Sequence, residues 1–99
     1  MAEFRDVDPR TLHLPPSRAG GADPFKLQRQ IAPYGDENTG MPAIVVYAGS
    51  DGALMIFDGV TRATRIAKLR PGTQVRVEVI GDLPSRCGGL PTVGEKLPW

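Results

Sequence analysis

The residues best suited to chemistry form a turn at residues 57–62, with the sequence FDGVTR. The turn joins a predicted strand to a predicted helix, and a helix N-terminus attracts anions through its free N–H groups and its dipole. Gly59 permits close approach of the backbone, and Thr61 offers a hydroxyl donor. Arg62 adds a planar cation that can hold two phosphate oxygens. The turn therefore predicts a small anion-binding site, with a nucleotide phosphate as its ligand.

Simpler interpretations of the same residues stay open. Either Asp58 or Thr61 caps the helix, as short polar residues commonly do, and Arg62 is then a solvated surface residue. Arg65 lies one turn after Arg62 and either extends the anion site or is solvated. Asp58 is the nearest carboxylate, so it is either a helix cap or a metal ligand in metal-assisted hydrolysis.

Composition limits the classes of protein that fit. Ninety-nine residues form one domain, and 12 Gly with 10 Pro predict short elements joined by many loops. The net charge is +1, but residues 58–80 hold five Lys or Arg against two acidic residues. One end of the domain is therefore expected to be basic, which suits a phosphate but falls short of the broad basic stripe of a duplex-binding protein.

The remaining bulk features predict a cytoplasmic protein without membrane contact. No apolar run approaches 18 residues, and the first residues, MAEFRDVD, lack a signal-peptide core. The single cysteine, Cys87, excludes an internal disulfide and gives no metal cluster.

The hydrophobic pattern predicts an α+β fold, with a mixed sheet of about four short strands and two to three helices. We expect strands at residues 4–7, 44–47, 53–57 and 74–80, an extended segment at 11–14, a loop at 17–22 and a hairpin turn at 49–52. Helices are expected at residues 24–32, begun by Asp23 and ended by Pro33 and Gly35, and at residues 61–69.

Residues 1–80 would form the domain, and residues 81–99 an irregular Gly/Pro-rich tail. Leu90, Val93 and Trp99 are expected to attach that tail to the body or to a partner. His13 is expected to be exposed or at a sheet edge, and Gln30 to lie on a solvated helix face.

The order of these segments resembles the ParB/sulfiredoxin superfamily over residues 5–80. Residues 53–69, ALMIFDGVTRATRIAKL, are similar to that family's apolar strand, Asp-Gly turn, two variable residues, arginine and Ala-rich helix. LHLPPSR at 12–18 resembles its first extended segment, DPFKLQ at 23–28 the start of its first helix, and GMPAIVV at 40–46 its next strand. Residues 75–80 resemble its closing strand.

The resemblance implies a compact domain that binds nucleotide phosphates, usually ATP or CTP with Mg²⁺. Gly59 and Arg62 match the family's phosphate-binding turn, Lys26 matches a phosphate-contacting lysine of sulfiredoxin-like members, and Arg18 matches an arginine of partition-type members. Val60 and Thr61 stand where sulfiredoxins place Cys-His. The sulfiredoxin reaction is therefore not expected, and whether any reaction is catalysed stays open.

Three functions remain in competition. The first is a stand-alone domain that binds a nucleotide or another phosphate-bearing ligand, as a binder or as a nucleotide hydrolase. The second is a nuclease or toxin domain of the same fold that acts on nucleic acid. The third is a non-catalytic interaction module that contacts a protein partner, or a second copy of itself, through the C-terminal tail.

Overall fold

A four-stranded mixed sheet organises the protein in the computed structural model, which describes residues 3–34 and 40–97. The strands are β1 (Glu3–Val7), β2 (Ile44–Ala48), β3 (Leu54–Asp58) and β4 (Val75–Asp82), in the spatial order β1-β4-β2-β3. The central pair, β2 and β4, is parallel, and both outer pairs are antiparallel. The predicted α+β class is confirmed, as is the hairpin between β2 and β3.

Two helices lie against one another beside the sheet: α1 (Pro24–Tyr34) and α2 (Val60–Leu69). Asp23 starts α1 as predicted, since its Oδ1 accepts the Phe25 N–H at 2.8 Å. The helix continues through Pro33 to Tyr34, two residues beyond the predicted end at residue 32, so Pro33 does not end it; Gly35, the other residue expected to end it, lies outside the described residues. A proline in the last turn keeps a helical φ and removes only one backbone donor.

Three short 3-10 turns interrupt the irregular segments, at Pro9–Thr11, Pro16–Arg18 and Gly94–Lys96. Asp8 begins the first of them, with its Oδ1 accepting the Arg10 N–H at 3.0 Å. The segment predicted as extended from residue 11 therefore becomes extended only at Leu12. The predicted loop at 17–22 likewise contains part of a 3-10 turn.

The hydrophobic core lies between one face of the sheet and the helices. Alternation along β2 and β4 buries every second side chain, as the period of a half-buried strand requires. The buried apolar side chains of the strands and of α2 are Ile44, Val46, Ala48, Ile56, Val60, Ala63, Ile66, Ala67, Val75, Val77 and Val79.

The C-terminal segment belongs to this same core, although it has little regular structure. Val93 and Leu97 are buried together with Leu12 and Leu14. Trp99 lies outside the described residues, and the division between a domain at 1–80 and a tail at 81–99 stays a prediction. None of the helices in the described part of the chain is long and apolar enough to span a membrane.

Candidate functional site

The N-terminus of α2 is open in the described part of the chain, where no side chain caps it. Gly59 occupies the N-cap position with a φ of +114°, and it makes no side-chain capping hydrogen bond. The alternative in which Asp58 or Thr61 caps this helix is therefore wrong. The first backbone N–H groups of a helix have no partner within it, so these donors face the space in front of α2.

That space is a cleft of about 170 Å³, which we call the cationic cleft. Three segments that are distant in sequence supply its cations: Arg18 from a 3-10 turn, Lys26 from α1 and Arg62 from α2. Among the described residues Asp58 is the one carboxylate in its lining, so these residues give the cleft an excess of positive charge. The described lining residues are Arg18, Lys26, Gln30, Asp58, Gly59, Val60, Thr61 and Arg62.

Two arginines of the cleft keep buried N–H groups without a hydrogen-bond acceptor in the described residues: Arg18 at Nη2 and Arg62 at Nε. Arg62 Nη2 donates to the Ala43 carbonyl at 3.3 Å and lies 3.8 Å from Asp58 Oδ2. A buried donor left without a partner costs about 1–3 kcal/mol. Both side chains also line the cleft, so it holds two guanidinium groups whose hydrogen-bonding capacity is not fully used by the described residues.

Arg65 does not join the cleft, and it is not solvated either. Its side chain is 2% exposed and its Nη2 lies 3.3 Å from Met41 Sδ. Gln30, predicted to be solvated, lines the cleft instead. Residues four apart on a helix share a face, so the spacing of Gln30 from Lys26 was the signal that could have identified it.

A larger cavity of about 340 Å³, the apolar groove, continues from the cationic cleft. Arg18, Asp58, Gly59 and Val60 line both cavities. Sequence reasoning missed the other lining residues, because they are brought together from the extended N-terminal segment and from β3. They are Pro15, Ser17, Met55, Ile56 and Phe57.

The groups most often used in catalysis are sparse here. In residues 3–34 and 40–97, no three His, Cys, Asp or Glu side chains are grouped as a metal site. Val60 has no group that transfers a proton. His13 lies at the edge of β3, with a 2.8 Å hydrogen bond between its Nδ1 and the Leu90 carbonyl, and it lines neither cavity.

Cys87 is likewise remote from the chemistry of the cleft. It is buried beside the β2–β3 turn, and burial, together with the nearby Asp51 charge, raises the pKa of its thiol. The thiolate is the reactive form of cysteine, so this residue is poorly suited to act as a nucleophile.

Comparison with known proteins gives no assignment: no protein-family model matches this chain, and no curated protein matches it. The interpretation of the site therefore depends on its geometry alone. The site combines an open helix N-terminus, three convergent cations and a neighbouring apolar cavity, and this combination suits binding of a phosphate attached to an apolar group.

Proposed function

We propose that this protein binds a nucleotide, with the phosphates in the cationic cleft. The observation that carries the proposal is the convergence of Arg18, Lys26 and Arg62 on the open N-terminus of α2. Guanidinium groups and helix N-termini are both well suited to hold phosphates. We propose also that the chain is a stand-alone ParB/sulfiredoxin-like domain, with Gly59 and Thr61 in its phosphate-binding turn.

The apolar groove favours a nucleotide over free phosphate. It shares four lining residues with the cationic cleft, so a ligand held by its phosphates can reach the groove with its sugar and base. Met55 and Phe57 line this groove, and Phe57, whose ring packs on Tyr47, is 63% exposed on the outer strand β3. Bases stack on exposed aromatic rings with a gain of about 1–3 kcal/mol.

The same site fits Mg²⁺ that arrives with the nucleotide. Mg²⁺ is usually held by one or two carboxylates together with substrate phosphates, and Asp58 supplies one exposed carboxylate. The ion, when bound, would neutralise phosphate charge. The proposal extends to binding; whether the nucleotide is hydrolysed is decided by the phosphate-release assay below.

The test is calorimetry with ATP, CTP and GTP, each with and without Mg²⁺. Arg62→Ala should weaken binding about 10- to 100-fold, because hydrogen bonds to charged groups contribute about 1.5–3 kcal/mol. Arg29→Ala is the matched control, since Arg29 is exposed on α1 outside the cleft lining and should bind normally. Phosphate release measured on the same samples tests hydrolysis.

Binding of inorganic triphosphate distinguishes the contribution of the cationic cleft from that of the apolar groove. Phe57→Ala should weaken binding of the nucleotide and leave binding of triphosphate unchanged, because only the base is expected to reach Phe57. Absence of binding by the wild type, or equal affinity of wild type and Arg62→Ala, would refute the proposal. Degradation of RNA or plasmid DNA with Mg²⁺ or Mn²⁺ would instead favour the nuclease interpretation.

A second candidate, self-association, is supported by the sheet face that points away from the helices. Phe4 and Ile80 are 54% and 43% exposed on β1 and β4, and Phe57 packs edge-to-face on Tyr47 with 5.6 Å between ring centroids. Exposed apolar faces of this kind are common in interaction modules. Light scattering across a concentration series tests it, and a constant monomer mass would remove this candidate.

A further inference from the structure

Arg18, a cation of the proposed site, lies in a segment whose conformation is not fixed by its own local hydrogen bonds. It ends the 3-10 turn Pro16–Arg18, whose neighbouring backbone hydrogen bonds are local: Arg18 N to Pro15 O at 2.8 Å and Gly21 N to Arg18 O at 2.9 Å. Fixing irregular backbone costs about 1–2 kcal/mol per residue. Other elements must therefore keep this arginine in the cleft.

The segment before Arg18 is held between β3 and the C-terminal residues 83–97, which we call the C-terminal strap. On the strap side, Leu14 N donates to Pro91 O at 2.8 Å and Val93 N donates to Leu12 O at 2.9 Å. On the β3 side, the backbone of His13 donates to Leu54 O and accepts from Ile56 N, both at 2.9 Å.

The strap also contacts the chain after Arg18. A Cβ placed on Gly21 would lie 3.2 Å from both Cβ and O of Lys96, so the two backbones are in close contact. Earlier in the chain, a Cβ on Gly94 would lie 3.1 Å from Arg10 O. The strap therefore touches the N-terminal segment on both sides of Arg18.

Asp51, in the β2–β3 turn, attaches the other end of the strap to the sheet. Its Oδ2 accepts the Gly88 N–H at 2.9 Å, and its Oδ1 accepts the Cys87 and Ala53 N–H groups at 3.2 Å each. Ser50 N adds a bond to Ser85 O at 2.9 Å. Asp51 lines neither cavity, so any effect of this residue on ligand binding would be indirect, through the strap or through β3, which begins next to Ala53.

We propose that the C-terminal strap, attached by Asp51, positions Arg18 for ligand binding. The ligand in this inference is taken from the proposed function, whereas the mechanism rests on contacts within the chain. When the strap detaches, the chain before and after Arg18 loses its contacts with the strap while His13 stays bonded to β3, and the guanidinium leaves the cleft. Asp51 is thus a positioning residue for the site, and ligand binding in turn holds the strap closed, because coupling of this kind is reciprocal.

Amide hydrogen exchange of the full chain tests the mechanism without ligand. Asp51→Asn should speed exchange of the Val93, Arg18 and Gly21 amides by one common factor of roughly three- to ten-fold, the effect of weakening charge-assisted hydrogen bonds. The β4 amides should be unchanged. The control is Asp82→Asn, which removes an exposed aspartate at the end of β4.

Two outcomes of this first arm would overturn the proposal. If no amide exchanges faster, Asp51 does not attach the strap. If Val93 exchanges faster while Arg18 and Gly21 keep the wild-type rate, the strap does not hold the segment around Arg18. Should Asp51→Asn fail to fold, Gly94→Ala, compared with Gly89→Ala whose Cβ meets nothing within 4 Å, replaces it.

The second arm uses ATP with Mg²⁺ as the probe. Bound ATP should slow exchange at Val93 in the wild type and have no such effect in Arg18→Ala at equal occupancy. Equal slowing in both proteins would overturn the coupling through Arg18. If the wild type binds none of ATP, CTP and GTP, the proposed function fails, and the exchange rates without ligand still decide whether the strap holds the segment around Arg18.

Discussion

Replacing Gly59 by alanine perturbs the turn on which the whole site depends. Gly59 has a φ of +114°, and a Cβ at this position would lie 3.0 Å from Arg62 Nη2 and 3.2 Å from Ile44 Cγ1. Carbon atoms prefer contacts of about 3.5–4.0 Å. The substitution therefore combines backbone strain with a steric clash.

Backbone strain and the steric clash each contribute to the expected loss in the free energy of unfolding. A left-handed conformation costs an L-residue about 1–2 kcal/mol, and overpacking of a well-filled site costs about 1–3 kcal/mol. Because Ile44 is completely buried, moving it away from the added Cβ would disturb the packing of the core. Gly59→Ala should therefore lower the free energy of unfolding by about 2–5 kcal/mol.

Gly72→Ala is the matched control. Gly72 also has a positive φ, +86°, but a Cβ there meets nothing within 4 Å. This variant carries the backbone strain alone, so it should be more stable than Gly59→Ala by about 1–3 kcal/mol.

Urea unfolding followed by circular dichroism measures this difference, provided that both variants keep the same m value. In a thermal scan each kcal/mol corresponds to roughly 4–8 °C in Tm for a domain of this size. Gly59→Ala should also bind nucleotide more weakly than Gly72→Ala, since its Cβ displaces Arg62. Equal stability of the two variants would show that the close contact between Gly59 and its neighbours is absent, and equal affinity would show that it does not serve the ligand.

Three further predictions concern stability and reactivity. Backbone hydrogen bonds from Gly88 and Cys87 lower the pKa of Asp51 below its ordinary value of 3.8, so the stabilisation is complete above that pH and is lost as pH falls through the folded-state pKa. Urea unfolding should thus give wild type a higher free energy of unfolding than Asp51→Asn at pH 7, and this difference should disappear below the folded-state pKa of Asp51. A difference that stays the same at all pH values would contradict this. Cys87 should react slowly with a thiol reagent until urea unfolds the protein, because it is buried with a raised pKa; fast labelling of the native protein would count against the packing. Leu14→Ala should cost about 2–5 kcal/mol in unfolding free energy because Leu14 is fully buried, whereas half-buried Leu83 should tolerate alanine better; the reverse order would be inconsistent with the core.

Local signals predicted the elements well, because each depends on neighbours in sequence. Asp23 caps α1 through an N–H two residues away, and the alternating valines of β4 face the core. The error at Pro33 has the same origin: a rule for helix interiors was applied to the last turn, where proline is compatible with the helix.

The grouping of the site residues had two sources. The turn itself indicated Arg62, the resemblance added Arg18 and Lys26, and all three line one cleft, while their role in ligand binding stays a prediction. The predicted set also included Arg65, which the packing of α2 directs into the interior beside Met41. The position of a residue along a helix determines which face of the helix it lies on. Which face is buried is determined by contacts with the rest of the chain.

The sequence by itself determined the strand, the Gly59 turn and the helix with Arg62 in its first turn, because capping, φ preference and hydrophobic period are local properties. Only the tertiary structure decided what surrounds that turn. Arg18 and Lys26 come to it from segments more than 30 residues away, and the C-terminal strap beside Arg18 comes from the far end of the chain. Such long-range contacts depend on how the sheet and helices bury their apolar faces together, and a single sequence carries no local signal for them.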